Sequence, residues 1–471
     1  MKKLFLSLTL FAIFFHLMYA SDGPQIWTTT VSIGSGVYNA SIVVNPSNNQ
    51  IMYAGSPGGG VYKSTDGGVT WNQANTGLTS LTIWALAISP SNPSVLYAGT
   101  SAIGIFKSTD AAATWTSAAT GITQSPPAIQ GIVVSPTDPN TVVCCVWDGV
   151  ATLDATVGLY KTTNGGTLWS PSNTGFGANK NVLCLCVNPM QPNTVYAGTS
   201  FITPGGVQTG PCYIYKSYDF GGTWINSSTG FGTATTDIDP CRGLSFSTLD
   251  TNTVICGRFF NSAAGGPWLT TNAGALWTQK VGGINVATFP GGLVRSICIR
   301  PGSNTQFYFG GDATTEQPGG VWHTTDGGNT WSDFNGGTMP NTATVRALAF
   351  KGNTLYAGVS VGPTGIQEYT ELPLGIHNPI SDMPKEFSLS QNYPNPFNPS
   401  TVIEYAVPRT SFVTVKVYDI IGKEVKTLVS ETKQAGAYAL NFNASNLPSG
   451  VYLYKIVAGD FTATKKMMLV K

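Results

Sequence analysis

The sequence predicts an all-β protein, a seven-bladed β-propeller followed by a small immunoglobulin-like β-sandwich. Three observations predict this fold class: a turn motif that occurs six times, a unit of four strands around each copy, and an alternation of apolar and polar residues from residue 387 to the end. The composition agrees with short strands joined by tight turns, because the 471 residues include 55 Gly and 29 Pro and only 10% are charged.

The repeated turn motif has the consensus Ser/Thr-x-Asp/Asn-x-Gly-x-Thr-Trp. Its copies occupy residues 64–71, 108–115, 162–169, 217–224, 270–277 and 324–331. An oxygen on the third side chain can accept hydrogen bonds from backbone N–H groups just ahead, and glycine supplies positive φ. We therefore predict a structural role for the third residue of each copy. These residues are Asp66, Asp110, Asn164, Asp219, Asn272 and Asp326.

The four-strand unit is clearest around the second copy of the motif. Residues 84–90, 95–100 and 104–107 are predicted to form three strands, and residues 115–121 form the outer strand after the motif. A seventh unit begins near residue 345 and lacks the motif.

The missing outer strand of the seventh unit is predicted near the N-terminal end of the chain. Trp27 lies 19 residues before Pro46, just as Trp71 lies 19 residues before Pro90, so residues 25–33 match an outer strand. Pairing of the two ends leaves no open sheet edge in the ring.

The turn motif resembles the Asp box, also called the BNR repeat, of sialidase-type and sortilin-type propellers. The resemblance implies that the boxes lie on the face opposite the family's ligand site. The likeness to sialidases is incomplete, because the sequence has no Phe/Tyr-Arg-Ile-Pro motif near its start and sialidase propellers normally have six blades.

The chain is predicted to have four parts. Residues 1–20 are typical of a signal peptide, with Lys2 and Lys3 before an apolar stretch that ends at Ala20. The alternative is a membrane anchor, for which the apolar run is short. Residues 21–372 form the predicted propeller, residues 373–386 a linker and residues 387–471 the second domain.

The second domain contains four motifs, at residues 392–401, 415–425, 447–455 and 465–471. Together they resemble the type A C-terminal sorting domain of the type IX secretion system. The resemblance implies contact with the secretion machinery, export across the outer membrane to the cell surface or the extracellular space, and often attachment to surface lipopolysaccharide. The alternative is an immunoglobulin-like accessory domain that binds something else.

Six of the eight cysteines fall at small, buried strand positions and are predicted to be packed thiols. Cys212 and Cys241 instead fall in loops expected on the ligand face. The sequence leaves open whether these two form a disulfide. No metal site or cofactor is predicted, and His16, His323 and His377 are the only histidines.

Candidate ligand-binding residues lie where the inner strands begin. Arg242, Arg295 and Arg346 occupy this place in three consecutive blades. Grouped guanidinium groups indicate either an anionic ligand or internal ion pairs. Nearby acids that could pair with them are Asp237, Asp239, Asp312 and Glu316.

Two aromatic residues, Trp84 and Trp147, are expected near the same face, and Trp147 is expected in a loop. There they could stack on a sugar ring or pack internally. A single seven-bladed ring with an arginine patch also resembles the photosystem II assembly-factor type of propeller, which binds protein.

The function favoured by the sequence is a secreted or cell-surface module that binds a glycan or a protein without catalysis. The alternative is a glycoside hydrolase of sialidase or xyloglucanase type, in which Asp148 or Asp154 would act with Asp237 or Asp312. No catalytic residue can be assigned from the sequence. A nucleic-acid partner is not expected, because the formal net charge is only +1 and the propeller has no basic stripe.

Overall fold

The structure is a computed structural model. It describes residues 27–31, 41–147, 156–202, 210–231, 238–259, 265–284, 294–312, 319–336, 338–361, 364–370, 386–392, 395, 397, 399–433, 436–444 and 446–470. These residues are strands, turns and irregular segments. The chain divides into two compact units: one spans Gln25–Glu371 and the other contains the described residues from 386 onward.

The described residues of the first unit form 28 strands. In chain order they are β1 (Trp27–Val31), β2 (Ile42–Val44), β3 (Met52–Ser56), β4 (Gly60–Ser64), β5 (Asn72–Gln73), β6 (Ile83–Ile88), β7 (Leu96–Thr100), β8 (Ile105–Ser108), β9 (Thr116–Ser117), β10 (Ala128–Val134), β11 (Val142–Trp147), β12 (Gly158–Thr162), β13 (Ser170–Pro171), β14 (Val182–Val187), β15 (Val195–Thr199), β16 (Ile214–Ser217), β17 (Ile225–Asn226), β18 (Cys241–Phe246), β19 (Val254–Arg258), β20 (Gly266–Thr270), β21 (Thr278–Gln279), β22 (Val294–Ile299), β23 (Phe307–Gly311), β24 (Gly320–Thr324), β25 (Ser332–Asp333), β26 (Thr344–Lys351), β27 (Thr354–Val361) and β28 (Gly365–Thr370).

These strands form seven antiparallel sheets of four strands, which we number as blades 1 to 7 from β2 to β28. In blades 1 to 6 the four strands are consecutive in the chain, and the first is innermost. The inner strands β2, β6, β10, β14, β18, β22 and β26 each contact the next, and β26 contacts β2 again. This closed cycle of contacts makes the unit a seven-bladed β-propeller.

Blade 7 has the strand order β1-β28-β27-β26, so its outer strand comes from the other end of the unit. Trp27 pairs with Tyr369 and Thr28 with Glu368 in an antiparallel register. The indole nitrogen of Trp27 also donates to the carbonyl oxygen of Phe334 in blade 6, at 2.8 Å. The ring is therefore closed by hydrogen bonds between its first and last strands.

The six Asp boxes are tight turns held by their own side chains. In the first box, the backbone N–H of Thr70 donates to Asp66 Oδ1 at 2.9 Å and the Thr70 hydroxyl donates to Asp66 Oδ2 at 2.6 Å. The Ser64 hydroxyl donates to Asp66 Oδ1 and accepts from the N–H of Gly68, both at 2.8 Å. The box residues thus satisfy polar groups that the turn would otherwise leave unpaired.

The tryptophan that ends each box connects neighbouring blades. Trp169 donates from Nε1 to the carbonyl oxygen of Ala118 at 2.7 Å, and Trp224 donates to that of Ser172 at 2.9 Å. Ala118 directly follows β9 and Ser172 directly follows β13, the outer strands of the preceding blades. The boxes follow the third strands, and the inner strands end at this side of the ring, so the opposite side is where the inner strands begin.

The second unit is a two-sheet sandwich. Its strands are β29 (Ser388–Leu389), β30 (Ser400–Val407), β31 (Ser411–Tyr418), β32 (Glu424–Lys433), β33 (Gly436–Asn443), β34 (Gly450–Ala458) and β35 (Phe461–Leu469). One sheet has the order β29-β30-β33 and the other β32-β31-β34-β35. The core between them includes Phe397, Tyr405, Val415, Tyr454 and Met467. This arrangement is the predicted immunoglobulin-like sandwich.

Candidate functional site

The candidate site lies where the inner strands begin, at the end of the propeller that we call the channel mouth. In blades 2 to 7 the pairing of the inner strand with the second strand skips one residue at this end. The skipped residues are Trp84, Gln130, Leu183, Arg242, Arg295 and Arg346, which we call the bulge ring. Bulges re-aim side chains and are frequent beside binding sites.

A cavity of about 270 Å³ lies inside the ring of blades. Its lining comes from six inner strands, β6, β10, β14, β18, β22 and β26, and includes Arg242 and Arg295. Each inner strand is the last in its sheet, so its edge that faces the channel has no neighbouring strand among the described residues. The cavity walls therefore offer backbone N–H and C=O groups as well as side chains.

The three predicted arginines occur together on blades 5 to 7, and each is partly buried. Arg295 forms a planar ion pair with Asp312, with Nε–Oδ1 and Nε–Oδ2 distances of 3.2 and 3.1 Å and an Nη2–Oδ2 distance of 2.8 Å. Their side chains are only 15% and 16% exposed. Arg346 donates from Nε to the Ser360 hydroxyl at 2.8 Å. Of the two alternatives given for the arginines, an anionic ligand or internal ion pairs, Arg295 forms the internal ion pair.

A fourth arginine, Arg258 at the end of β19, is fully buried beside this group. Its guanidinium carbon lies 4.8 Å from the ring centre of Phe231 and 5.8 Å from that of Trp268. Its Nε donates at 3.2 Å to the backbone carbonyl oxygen of Asp239, which is itself fully buried. The sequence analysis did not single out Arg258. Its position at the end of an otherwise apolar strand was the available signal.

Two tryptophans form the opposite side of the channel mouth. Trp84 belongs to the bulge ring in blade 2, and its ring centre lies 6.1 Å from that of Trp147 in blade 3. Trp147 was expected in a loop but is the last residue of β11, paired with Ala128. Its Nε1 is buried and has no hydrogen-bond partner among the described residues. A buried donor of this kind costs about 1–3 kcal/mol if nothing accepts its proton.

Cys212 and Cys241, whose pairing the sequence left open, both carry thiols in the structure. Cys241 is not in a loop but is the first residue of β18. Its side chain packs between blades 4 and 5, where it contacts Cys256 and lies against Gly198. Burial raises the pKa of Cys256 well above its ordinary value. The other six cysteines are thiols too, and only Cys186 is not fully buried.

Four predicted acidic residues, Asp148, Asp154, Asp237 and Glu316, lie outside the described residues. Within the part of the chain that is described, no group of three or more His, Cys, Asp or Glu side chains could hold a metal ion. No helix among the described residues is long and apolar enough to span a membrane.

Comparison with protein families gives two matches. The family described as "Secretion system C-terminal sorting domain" matches residues 391–471, and the family described as "Sortilin, neurotensin receptor 3," matches residues 59–184. The second match covers the last two strands of blade 1, all of blades 2 and 3, and the start of β14 in blade 4.

The chain is an Asp-box β-propeller with a type IX sorting domain.

Solved structures with a similar fold include three propeller proteins. The GH74 xyloglucanase of Xanthomonas campestris aligns with a TM-score of 0.52 and 13% identity, covering 81% of this chain and 60% of that one. PorZ, a surface component of the type IX secretion system of Porphyromonas gingivalis, aligns with a TM-score of 0.51 and 14% identity, covering 96% and 60%. YCF48 bound to D1 peptide aligns with a TM-score of 0.50 and 11% identity, covering 75% and 96%.

The chain spans about three fifths of the length of the xyloglucanase and of PorZ. No curated protein matches the sequence. At these identities the structural likeness supports the propeller fold and not a shared activity. The sorting domain directs the protein across the outer membrane, to the cell surface or the extracellular space. It also implies interaction with the type IX secretion machinery.

Proposed function

We propose that this exported propeller is a non-catalytic binding protein whose channel mouth holds an extended peptide segment with a free carboxylate. The observation that carries the proposal is the bulge ring, in which Arg242, Arg295 and Arg346 occupy equivalent positions on three adjacent blades, and Arg242 and Arg295 line the cavity. Arginine presents planar donors that match a carboxylate.

The described acidic side chains favour binding over hydrolysis. Asp312 is engaged by Arg295 in a planar pair, and Asp239 is fully buried. A glycoside hydrolase needs two carboxyl groups about 5–10 Å apart on either side of an open cleft. Neither of these two residues offers such a group to solvent.

The cavity favours a narrow, extended ligand. Its volume of about 270 Å³ is below that of most pockets for whole small molecules, so only an end group would enter it. The edges of the inner strands can hydrogen-bond a polypeptide backbone, as exposed sheet edges do elsewhere. YCF48, a propeller with a similar fold, has been solved with a bound peptide.

An acidic glycan is the second candidate ligand, and the observation that favours it is the pair Trp84 and Trp147. Their tilted rings form the aromatic side of the channel mouth, opposite the arginines, and the buried Nε1 of Trp147 could donate to a sugar hydroxyl. A ligand with both a sugar ring and a carboxylate would contact the tryptophans on one side of the bulge ring and the arginines on the other.

The test is binding of the full mature protein to matched peptide and glycan panels. Each peptide is presented with a free C-terminal carboxylate and as the C-terminal amide. We expect binding only to the carboxylate form, and an affinity at least about 10-fold lower for Arg242→Gln and for Arg346→Gln, since one ligand hydrogen bond to a charged group is worth about 1.5–3 kcal/mol.

Arg300→Gln is the matched control, because Arg300 follows β22 at the far end of the same inner strand from Arg295. Equal binding of the amide peptides, or an equal loss with Arg300→Gln, contradicts the proposal. Binding of acidic glycans that Trp147→Ala removes would select the glycan instead. Release of sugar from a bound glycan would support the hydrolase alternative.

A further inference from the structure

The sorting domain displays two adjacent isoleucines at the turn between β31 and β32. Ile420 is 75% exposed and Ile421 is 84% exposed, the two highest values for large apolar side chains among the described residues. Single exposed apolar residues are common on protein surfaces and need no explanation. Two neighbours at the tip of one hairpin are different, because turns of this kind are usually built from polar residues and glycine.

The turn that carries the isoleucines is held in one conformation. The Asp419 carboxylate accepts from the backbone N–H of Ile421 at 3.1 Å and from that of Lys423 at 2.9 Å. Backbone bonds from Asp419 N to Lys423 O and from Gly422 N to Asp419 O, at 3.0 and 3.1 Å, close it further. Gly422 has a φ of 84°, which a residue with a side chain rarely adopts.

The isoleucines do not contribute to the folded core. The sandwich is filled by buried residues from both sheets, and neither isoleucine belongs to that cluster or packs against it. The turn therefore presents the apolar surface of two isoleucine side chains to solvent. Because its backbone is already held in one conformation, binding would cost little further conformational entropy.

We propose that residues 419–423 are the part of the sorting domain that docks on the type IX secretion machinery, by placing Ile420 and Ile421 in an apolar recess of one of its protein components. The sorting domain's role supplies the partner, since it must be recognised by that machinery. Lys423 in the turn and Lys426 after it are exposed, and Glu424 between them is paired with Lys416 at 2.8 Å. The positive charge of the two lysines suits a recess with acidic groups at its rim. This inference rests on export and not on the ligand proposed for the propeller.

The test uses the full chain, expressed in a bacterium that has a type IX secretion system. Export is measured as the fraction of the protein outside the cells against the fraction in the periplasm. For the double variant Ile420→Asp/Ile421→Asp we expect the exported fraction to fall at least about 10-fold, with intact protein accumulating in the periplasm. The conservative variant Ile420→Leu/Ile421→Leu should be exported normally, because it keeps the apolar surface.

Phe412→Asp is the matched control. Phe412 is 58% exposed on the same strand β31, at the end far from the turn. Normal export of the double aspartate variant, or an equal loss with Phe412→Asp, overturns the proposal. A thermal melt of the purified aspartate variant that matches the parent protein shows that lost export is not lost folding. If the melt is lowered, the pair Ile420→Ser/Ile421→Ser, which adds no charge, replaces it in the same assay.

Two further measurements test whether the turn binds lipid or a second copy of the chain instead of the secretion machinery. If the parent protein binds vesicles of phosphatidylethanolamine and phosphatidylglycerol and the aspartate variant does not, the turn inserts into lipid and the proposal fails. If the parent protein forms a concentration-dependent dimer that the variant loses, the partner is a second copy and the proposal also fails. We expect the parent protein to be monomeric and to leave such vesicles unbound.

Discussion

At the scale of single residues, the Asp boxes exist in two chemical forms. Where the third residue is aspartate, the seventh is threonine, whose hydroxyl donates to the second carboxylate oxygen, as Thr330 does to Asp326 at 2.6 Å. Where the third residue is asparagine, the seventh is Leu168 or Leu276. The amide nitrogen of asparagine cannot accept that proton, so the threonine loses its partner and an apolar residue is tolerated.

This pairing predicts a coupled effect in the third box. Asn164→Asp alone should destabilise the protein or leave it unchanged, because Leu168 gives the second carboxylate oxygen no donor. Adding Leu168→Thr should recover about 1 kcal/mol more than the two single changes predict. Urea unfolding of the four proteins of this double-mutant cycle measures the coupling. A coupling energy near zero would contradict the explanation.

The aspartate boxes also predict a dependence of stability on pH. Hydrogen bonds from the Thr70 hydroxyl, the Thr70 N–H and the Ser64 hydroxyl lower the pKa of Asp66 from its ordinary 3.8 to about 2, and the equivalent bonds lower the pKa of Asp110 to about 2. A lowered folded-state pKa gives stability that is present above pH 4 and is lost as the pH falls toward 2.

We therefore expect Asp66→Asn/Asp110→Asn to lose less thermal stability between pH 4 and pH 2 than the parent protein. Melting temperatures at closely spaced pH values measure this difference. Asn164→Ala serves as the control, because an amide does not titrate, and it should shift the melting temperature equally at both ends of the range. Parallel curves for the parent and the double asparagine variant would refute the role of these carboxylates.

At the scale of elements, β1 determines whether the propeller ring is closed. It pairs with β28 and connects to blade 6 through Trp27. A chain that begins after Val31 would leave β28 as an open edge, which can pair with another molecule. We expect such a chain to form oligomers in light-scattering measurements, and a peptide of residues 25–33 to restore the monomer. A chain that begins at Gln25 is the control, and oligomers from that control would contradict this account.

The bulge ring shows what repeat alignment can and cannot predict. The alignment placed Arg242, Arg295 and Arg346 at equivalent positions, because a fixed repeat preserves the position of each residue within its blade. It could not predict that these residues are bulges, since a bulge depends on the register with the second strand. For the same reason Cys241 and Trp147 were expected in loops, although both are paired strand residues.

The partners of the arginines were less predictable than their positions. Four nearby acids were candidates in the sequence, and only the fold brings Asp312 to Arg295. The charge pattern of the sequence did not indicate the buried Arg258. Its guanidinium group packs against Phe231, which follows blade 4, and Trp268, on another strand of its own blade. The fold class was predictable because the turn motif and the strands around it are local sequence patterns. Side-chain partners depend instead on contacts between segments that are distant in the sequence.

At the scale of the whole molecule, the two compact units predict two separable functions. Deletion of residues 387–471 should keep the protein in the periplasm, because the sorting domain carries the signal for crossing the outer membrane. The remaining propeller should melt with the same transition as in the parent protein. Cell fractionation and calorimetry test the two statements. Export of the shortened chain, or a lowered propeller transition, would show that the units depend on each other.

The pairing of β1 with β28 also imposes an order of events on the living cell. A ribosome makes Trp27 early and Tyr369 late, so the ring cannot close until nearly the whole first unit exists. The sorting domain follows the propeller in the sequence, so it is synthesised only after that. A product of translation that stops within the propeller therefore lacks the sorting domain. Because synthesis proceeds in this order, chains that end before the ring is complete are not exported through the sorting domain.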